Sequence, residues 1–432
     1  MSELRAYILS PFADSSSLYN SWLDELSCEY VIVNDPLQEW SPPADTGIII
    51  THQHYRWEEA AAIRNVYEQN RIPTLVLADG ILDYCNTWQH PDLADGAMFQ
   101  PLLAHKIACI GNGQARLISS WGNSEKCEVV GLPRLDGHSV DLPNRSDKTF
   151  RLLIATATTP AFTPEHRAIV ADSLKALKER LESMKTVAGR KIEVNWRLTD
   201  NLDTDLGFKQ NDETQPPFSE AIQNADAVVT TPSTLYLESI LANRPTAILD
   251  FLNRPQYVPS AWSITSGEQV QSIIGELAEP PTPKMQFQDF ILQEQLQVSE
   301  PATARMVSLV TSMIELGAAA KENKTPLEFP ANVLSIAQPQ FESYSLGQLF
   351  PSNDTFNLQQ VNRLQVELNQ AVKRMETMPV ELAEKNLQVS QLQVHLDESR
   401  RRVADLRRRL FKLRKILGIG KENQQDDSES EV

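Results

Sequence analysis

Four absences narrow the reading of this chain before any motif is weighed. No run of about 18 apolar residues occurs anywhere in its 432 residues, which excludes an ordinary membrane-spanning helix. The beginning, Met1 to Ser10, has neither the charged stretch nor the long apolar core of a secretory signal, and it reads as a first strand. Cysteines number only four (Cys28, Cys85, Cys109 and Cys127) and none are in CxxC spacing, so neither a disulfide framework nor a thiolate metal cluster is expected. Free thiols suit a reducing compartment, hence a cytoplasmic location. A dinucleotide fingerprint is also missing: Gly111-Asn112-Gly113 lacks the third glycine and the acidic partner.

Excess positive charge is absent too. The net charge of −17 argues against a nucleic-acid partner. The exception is local. Arg400, Arg401, Arg402, Arg407, Arg408, Arg409, Lys412, Arg414, Lys415 and Lys421 face Asp405 as the single acid of that stretch, so the carboxyl end has a partner of its own to seek.

What is present is alternation. Short apolar strands are expected at Arg5–Ser10, Tyr30–Asn34, Gly47–His52, Thr74–Asp79, Lys106–Gly111 and Glu128–Leu132, with helical patterns at Ser17–Leu26, Glu58–Gln69 and Gln114–Trp121. Continuous runs such as Gly47-Ile48-Ile49-Ile50 are what a parallel strand covered on both faces requires. Strand–helix repetition then implies right-handed crossovers and a doubly wound sheet. The polar stretch Asp136–Lys148 reads as an interdomain linker.

The pattern restarts with strand Phe150–Ala157, helix Pro164–Val187, strand Ile192–Leu198, helix Ser219–Asn224, strand Ala225–Thr230, helix Thr234–Asn243 and strand Pro245–Phe251. Helices Met285–Val298 and Thr303–Leu316 follow, after the break Pro280–Pro283. The expected architecture is α/β: two Rossmann-like, doubly wound domains at 1–140 and 148–320, the second including the closing helices. Two such domains in series face a cleft lined by the carboxyl ends of their strands. Residues Lys324–Asn357 form an aperiodic connector, with Phe329, Phe341 and Tyr344 as its candidates for packing.

A coiled coil is expected at 358–418. Its a positions are Val361, Leu368, Met375, Leu382, Val389, Leu396, Val403, Leu410 and Leu417. Its d positions are Leu364, Ala371, Met378, Lys385, Leu392, Ser399, Leu406 and Leu413. A seven-residue apolar repeat of this length points to a homo-oligomer through residues 361–417, and Pro379 should kink or interrupt it. The basic stretch 400–421 is suited to an anionic membrane surface, where each basic residue contributes about 1 kcal/mol, or to the charged exterior of the coil. Peripheral attachment at the inner face of the membrane follows from the first of these. The tail 419–432 is acidic and expected to be disordered.

Chemistry concentrates at strand ends. After the strand ending at Thr230, Thr231-Pro232-Ser233-Thr234 opens a helix with Ser233 as its natural N-cap, and helix-start amides suit a phosphate. Glu238 lies one turn beyond Thr234 on the same face, placed either for a ribose or for an ordinary salt bridge. In the first domain Asp79-Gly80 ends a buried strand. Asp79 is either a general base on an acceptor hydroxyl or a turn-forming residue. His52 and His54 are the second base candidates; with no third ligand spaced nearby, no metal is expected. Asp203-Thr204-Asp205 is read as a solvated loop, not a metal–diphosphate site.

The segment from Ala225 to Asp250, containing Thr230-Thr231-Pro232-Ser233-Thr234, Glu238 and Arg244-Pro245-Thr246, resembles the donor-nucleotide segment of GT-B glycosyltransferases. It is similar too in their relatives, the sugar-nucleotide 2-epimerases and CDP-alditol polyol-phosphate transferases. Gly131-Leu132-Pro133-Arg134-Leu135-Asp136 resembles the end of the N-terminal domain in that group. The resemblance spans roughly residues 1–320. It implies a nucleotide-sugar substrate and no cofactor, with Ser233 and Thr234 on the donor phosphates and Glu238 on the ribose. Thr156, Thr158 and Thr159 would occupy the phosphate-facing loop, and Arg197 would neutralise the leaving diphosphate. That loop has no glycine, so hydroxyls must do more of the binding. Thr199-Asp200 also stands where polyol-phosphate transferases carry His-Pro.

The implied function is metal-independent transfer of a sugar from a nucleotide-sugar donor to an acceptor that the sequence does not specify, such as a cell-surface polysaccharide or glycan. A sugar-nucleotide epimerase or polyol-phosphate transferase is the enzymatic alternative. A non-catalytic scaffold of degenerate α/β domains on a coiled coil is the other class.

Overall fold

The computed structural model describes residues 4–9, 19, 21–34, 37, 40–52, 55–69, 71–93, 98–137, 148–208, 217–252, 254–336 and 354–417. The chain divides into a compact unit, Met1–Leu349, and a second unit, Phe350–Val432.

The first unit holds two six-stranded sheets. In one, β1 (Arg5–Leu9), β2 (Tyr30–Val33), β3 (Thr46–Thr51), β4 (Thr74–Leu77), β5 (Lys106–Cys109) and β6 (Cys127–Val129) lie in the order β2-β1-β3-β4-β5-β6. Every pairing is parallel. Strands β3, β4 and β5 are buried at every residue, which explains the continuous apolar stretches Ile48-Ile49-Ile50, Leu75-Val76-Leu77 and Ile107-Ala108-Cys109. The intervening helices are α1 (Trp57–Gln69), α2 (Tyr84–Gln89) and α3 (Asn112–Ile118). Of the helix expected at Ser17–Leu26, Tyr19 is helical and Leu23–Glu25 form a 3₁₀ turn; residues 10–18 and 20 lie outside the described residues.

The second sheet contains β7 (Thr149–Ala155), β8 (Thr186–Val187), β9 (Arg190–Arg197), β10 (Ala227–Thr230), β11 (Thr246–Leu249) and β12 (Trp262–Ile264) in the order β12-β11-β10-β7-β9-β8. It is parallel except for the β8–β9 hairpin. Helices α4 (Pro164–Ser183), α5 (Leu202–Asp205), α6 (Phe218–Gln223), α7 (Leu235–Leu241), α8 (Val270–Ala278) and α9 (Thr282–Gln295) accompany it. Helix α4 ends at Ser183, and the last residues of the expected helix form β8 instead. Pro283 lies in the first turn of α9, where a missing N–H costs nothing, so the proline segment starts a helix instead of merely separating two.

Helix α10 (Ala302–Asn323), grouped by the sequence with the second domain, packs on the first sheet. Met306, Leu309, Val310 and Met313 meet Ala6, Ile8, Ile48 and Ile50 in one core. The chain then stays on that domain. Phe329 joins the core and its ring lies 5.3 Å from that of His105. The buried Lys106–Glu128 ion pair (2.8 Å) completes the attachment. Lys106 Nζ donates to the Pro330 and Ala331 carbonyls, and Glu128 accepts from the amides of Val333 and Leu334. A buried ion pair persists only when its remaining donors and acceptors are satisfied, as they are here. Phe341, Tyr344 and the centre of the 136–148 linker lie outside the described residues.

The second unit is one helix, α11 (Asp354–Ile416), 63 residues long and not interrupted at Pro379. From Leu364 onward its apolar a and d side chains are exposed along the single chain, Leu382 to 63% and Leu392 to 68%. Among the described residues no helix is long and apolar enough to cross a membrane.

Candidate functional site

In the second sheet the strand order reverses between β7 and β10: the chain leaves β7 toward β9 on one side and returns to β10 on the other. Loops that leave two neighbouring strands in opposite directions open a crevice at their carboxyl ends. Here those loops are Thr156–Pro160 and Thr231–Thr234. Facing them are the loops after β3 and β4, carrying His52 and Asp79. Together they enclose a cleft of about 600 Å³, lined among others by His52, Tyr55, Arg56, Asp79, Asp83, His90, Arg134, Thr158, Thr159, Ser233, Thr234 and Glu238. That size falls in the range of small-molecule sites.

Of the residues proposed from sequence, His52, Asp79, Thr158, Thr159, Ser233, Thr234 and Glu238 meet around this cleft. Thr156 does not line it. That residue is buried, with its Oγ1 2.9 Å from Thr199 Oγ1 and accepting the Thr199 amide at 2.9 Å; it ties the β7 and β9 ends together. Arg197 does not line the cleft either. It is the last residue of β9, opposite Ala155, one strand away from the β7–β10 reversal. His54 lies outside the described residues.

The Ser233 turn is held partly by its own hydroxyls. Ser233 Oγ accepts the Leu235 amide at 3.2 Å, and the residue at the helix cap position is Thr234, not Ser233. Thr234 Oγ1 reaches the opposing domain, where it accepts the Ile81 amide at 3.1 Å. Gly80 makes that approach possible, because a Cβ there would stand 1.9 Å from Thr234 Oγ1. Glu238 is paired with Arg134 at 3.0 Å, and the same guanidinium donates to the Asp79 carbonyl at 3.2 Å. Arg134 therefore joins the Glu238 carboxylate to the Asp79 backbone, which only the folded chain brings together.

On the first domain, His52 Nδ1 lies 3.0 Å from the hydroxyl of the buried Tyr19. Burial lowers the His52 pKa, opposed by the nearby Asp79 charge and reinforced by Arg56. Asp79 itself is exposed at the end of β4. His90 is lowered by burial, and its ring lies between Tyr55 (5.0 Å) and Phe162 of the second domain (5.2 Å). Asp83 caps α2, accepting the Asn86 amide at 2.9 Å. Burial nevertheless pushes its pKa up to about 6, with Asp250 adding to the rise against two backbone N–H groups. Trp88 donates to the Tyr257 hydroxyl at 2.6 Å, a further bridge between the domains.

Arg134, Arg56, Asp83 and His90 were not assigned roles from sequence. These side chains reach the cleft from a 3₁₀ turn, the residue before α1, and the two ends of the short helix α2, and only the fold brings them to one place. Asp203 and Asp205 lie on the helical turn α5, where Asp205 pairs with Arg167 at 2.6 Å. Among the described residues no group of three or more His, Cys, Asp or Glu is arranged to hold a metal ion.

No protein-family profile matches this sequence, and no curated protein matches it. Solved structures do. The S. aureus MnaA-UDP co-structure superimposes with a TM-score of 0.51 at 12% identity, over 72% of this chain and 97% of that one. A putative UDP-N-acetylglucosamine 2-epimerase from Listeria monocytogenes gives 0.48 at 11% identity, over 73% and 97%. The wall teichoic acid polymerase TagF gives 0.46 at 11% identity, over 72% and 89%. At such identities what is shared is architecture. The chain has a GT-B-like fold, with two parallel-rich α/β sheets followed by a long helix.

Proposed function

We propose that this protein is a metal-independent glycosyltransferase using a nucleotide-sugar donor. The donor nucleotide occupies the second-domain side of the cleft and the acceptor the first-domain side. One observation carries the reading: the loops after β7 and β10, at the reversal of strand order, face Asp79 across one cleft of nucleotide-sugar size. The MnaA structure, which holds UDP, shares that architecture.

In this proposal Thr158 and Ser233 contact the donor phosphates. Arg134, in the cleft where Arg197 is not, offers the charge that stabilises a departing diphosphate. Glu238 has two carboxylate oxygens and accepts from a ribose hydroxyl while keeping Arg134 on the other.

Between the base candidates, the Tyr19 contact favours Asp79. His52 Nδ1 is already engaged by the buried Tyr19 hydroxyl at 3.0 Å, whereas the Asp79 side chain stands exposed in the cleft. Asp79 then removes the acceptor proton. Helix α11 makes the assembly oligomeric.

The experiment is transfer of labelled sugar from a panel of nucleotide-sugars, with Asp79→Asn as the comparison. Loss of about 10²–10⁴-fold in kcat with donor affinity retained supports the base role. Activity equal to wild type removes it. Omitting the acceptor separates the epimerase alternative, since only an epimerase isomerises the donor alone.

A further inference from the structure

Among the described residues helix α11 leaves its apolar seam exposed from Leu364 to Leu417, and its flanks carry unevenly placed charges. Resting on the oligomeric reading above, we infer that α11 pairs with α11 of a second copy as a two-stranded antiparallel coiled coil, with Leu364 of each chain packed against Leu410 of the other.

The parallel arrangement meets three repulsions. In register, d positions face their own copies, which sets Lys385 against Lys385 inside the seam. The g and e′ flanks then set Arg402 against Arg407 and Arg409 against Arg414 of the second copy. Like charges on such flanks weaken pairing, and a buried like-charge pair costs more.

Reversing one helix removes all three. With a positions facing d positions, Leu368 meets Leu406, Leu382 meets Leu392, Leu396 meets Met378, and Val403 meets the small Ala371. Lys385 then faces Val389, from which its long stem can carry the ammonium out to water. On the flanks Glu367 meets Arg409 and Glu381 meets His395. Arg374 opposite Arg402 is the one repulsion this alignment retains. The alignment pairs the seam from Leu364 to Leu410, about 70 Å at 1.5 Å per residue, and leaves no apolar heptad of that span uncovered.

The test uses the full chain. Sedimentation equilibrium gives the mass, and cysteine variants Leu364→Cys, Leu410→Cys and the double variant are oxidised beside the parent, which controls for Cys28, Cys85, Cys109 and Cys127. The expected result is a dimer in which neither single variant cross-links and the double variant does. The two positions on one helix are too far apart to react within a chain. Cross-linking of either single variant with itself would overturn the antiparallel direction while leaving self-association intact. A trimer or tetramer, or a dimer whose double variant stays uncross-linked, would overturn the strand number or alignment. A monomer that sediments with phosphatidylglycerol vesicles would overturn self-association and assign the basic stripe to a lipid surface. A monomer that does not sediment with them overturns it equally. Arg374→Glu supplies a check independent of oxidation: it is expected to tighten the dimer several-fold, whereas in the parallel arrangement residue 374 flanks Pro379 and no change is expected.

Discussion

Thr234 reaches across the cleft to Gly80 so closely that a single methyl group at residue 80 would fall 1.9 Å from the threonine hydroxyl. This contact and the Thr234–Ile81 hydrogen bond set the spacing between the domains at the level of the Ser233 turn. Gly80→Ala is therefore expected to destabilise the protein by about 1–3 kcal/mol through overpacking. Thr234→Ala should recover part of that loss, because the clashing oxygen is then gone. Denaturant unfolding of the two single variants and the double variant measures the coupling; strictly additive effects would mean that the two residues do not touch in solution.

Arg134 holds Glu238 and the Asp79 carbonyl with one guanidinium. Removing it by Arg134→Ala costs charge-assisted hydrogen bonds of about 1.5–3 kcal/mol, so nucleotide-sugar affinity is expected to fall by roughly 10- to 100-fold. Arg197→Ala should leave affinity near wild type, since Arg197 does not line the cleft. Calorimetric titration of both variants checks the contrast. The opposite order of effects would return the leaving-group role to Arg197.

Glu59 is buried on α1 beside the Thr51 side chain. Burial pushes its pKa up to about 8, against the opposing Arg56 charge. A carboxyl raised in the folded state binds a proton that the unfolded chain has released, so its burden grows as pH rises from about 4.5 toward 8. Glu59→Gln should accordingly stabilise the protein by about 2–4 kcal/mol at pH 7, with little effect at pH 4.5. Urea unfolding at the two pH values measures it, and equal effects at both would contradict the protonated state.

His105 presents the opposite sign. Burial, helped by Lys126, lowers its pKa to about 4, and its Nδ1 accepts the Thr74 amide at 3.1 Å, which only the neutral ring can do. The unfolded chain takes up the proton first, near pH 6.5, so this contribution is complete above that value and is lost as pH falls toward 4. A drop of about 3 kcal/mol over that window is expected. Glu59 runs the other way in part of the window, so the cleanest measurement is the difference between wild type and His105→Asn, whose pH dependence should lack this component.

The strands were legible because burial on both faces leaves a mark: β3, β4, β10 and β11 are unbroken apolar runs. The short strands β8 and β12, of two and three residues, were not, since Thr186-Val187 and Trp262-Ser263-Ile264 are too brief to show a period. Helix α10 illustrates a different limit. Its amphipathic pattern marks which face is buried but not which sheet covers it, and the first sheet does. In the cleft, Asp79, Ser233 and Thr234 were readable as strand-end residues next to turn formers. Arg197 satisfied the same rule and failed geometrically, because β9 lies one strand beyond the reversal. The Tyr19–His52 contact and the Arg134 bridge join residues 33 and 104 positions apart, distances over which local sequence carries no signal.

The most direct measurement is calorimetric titration of UDP-, GDP-, CDP- and CMP-sugars into wild type and Glu238→Ala. The expected result is saturable binding of at least one donor to wild type, weakened at least about tenfold by the substitution, as for loss of a charge-assisted hydrogen bond. Binding by none of the four, or undiminished binding by Glu238→Ala, would contradict a donor site at the Ser233 turn.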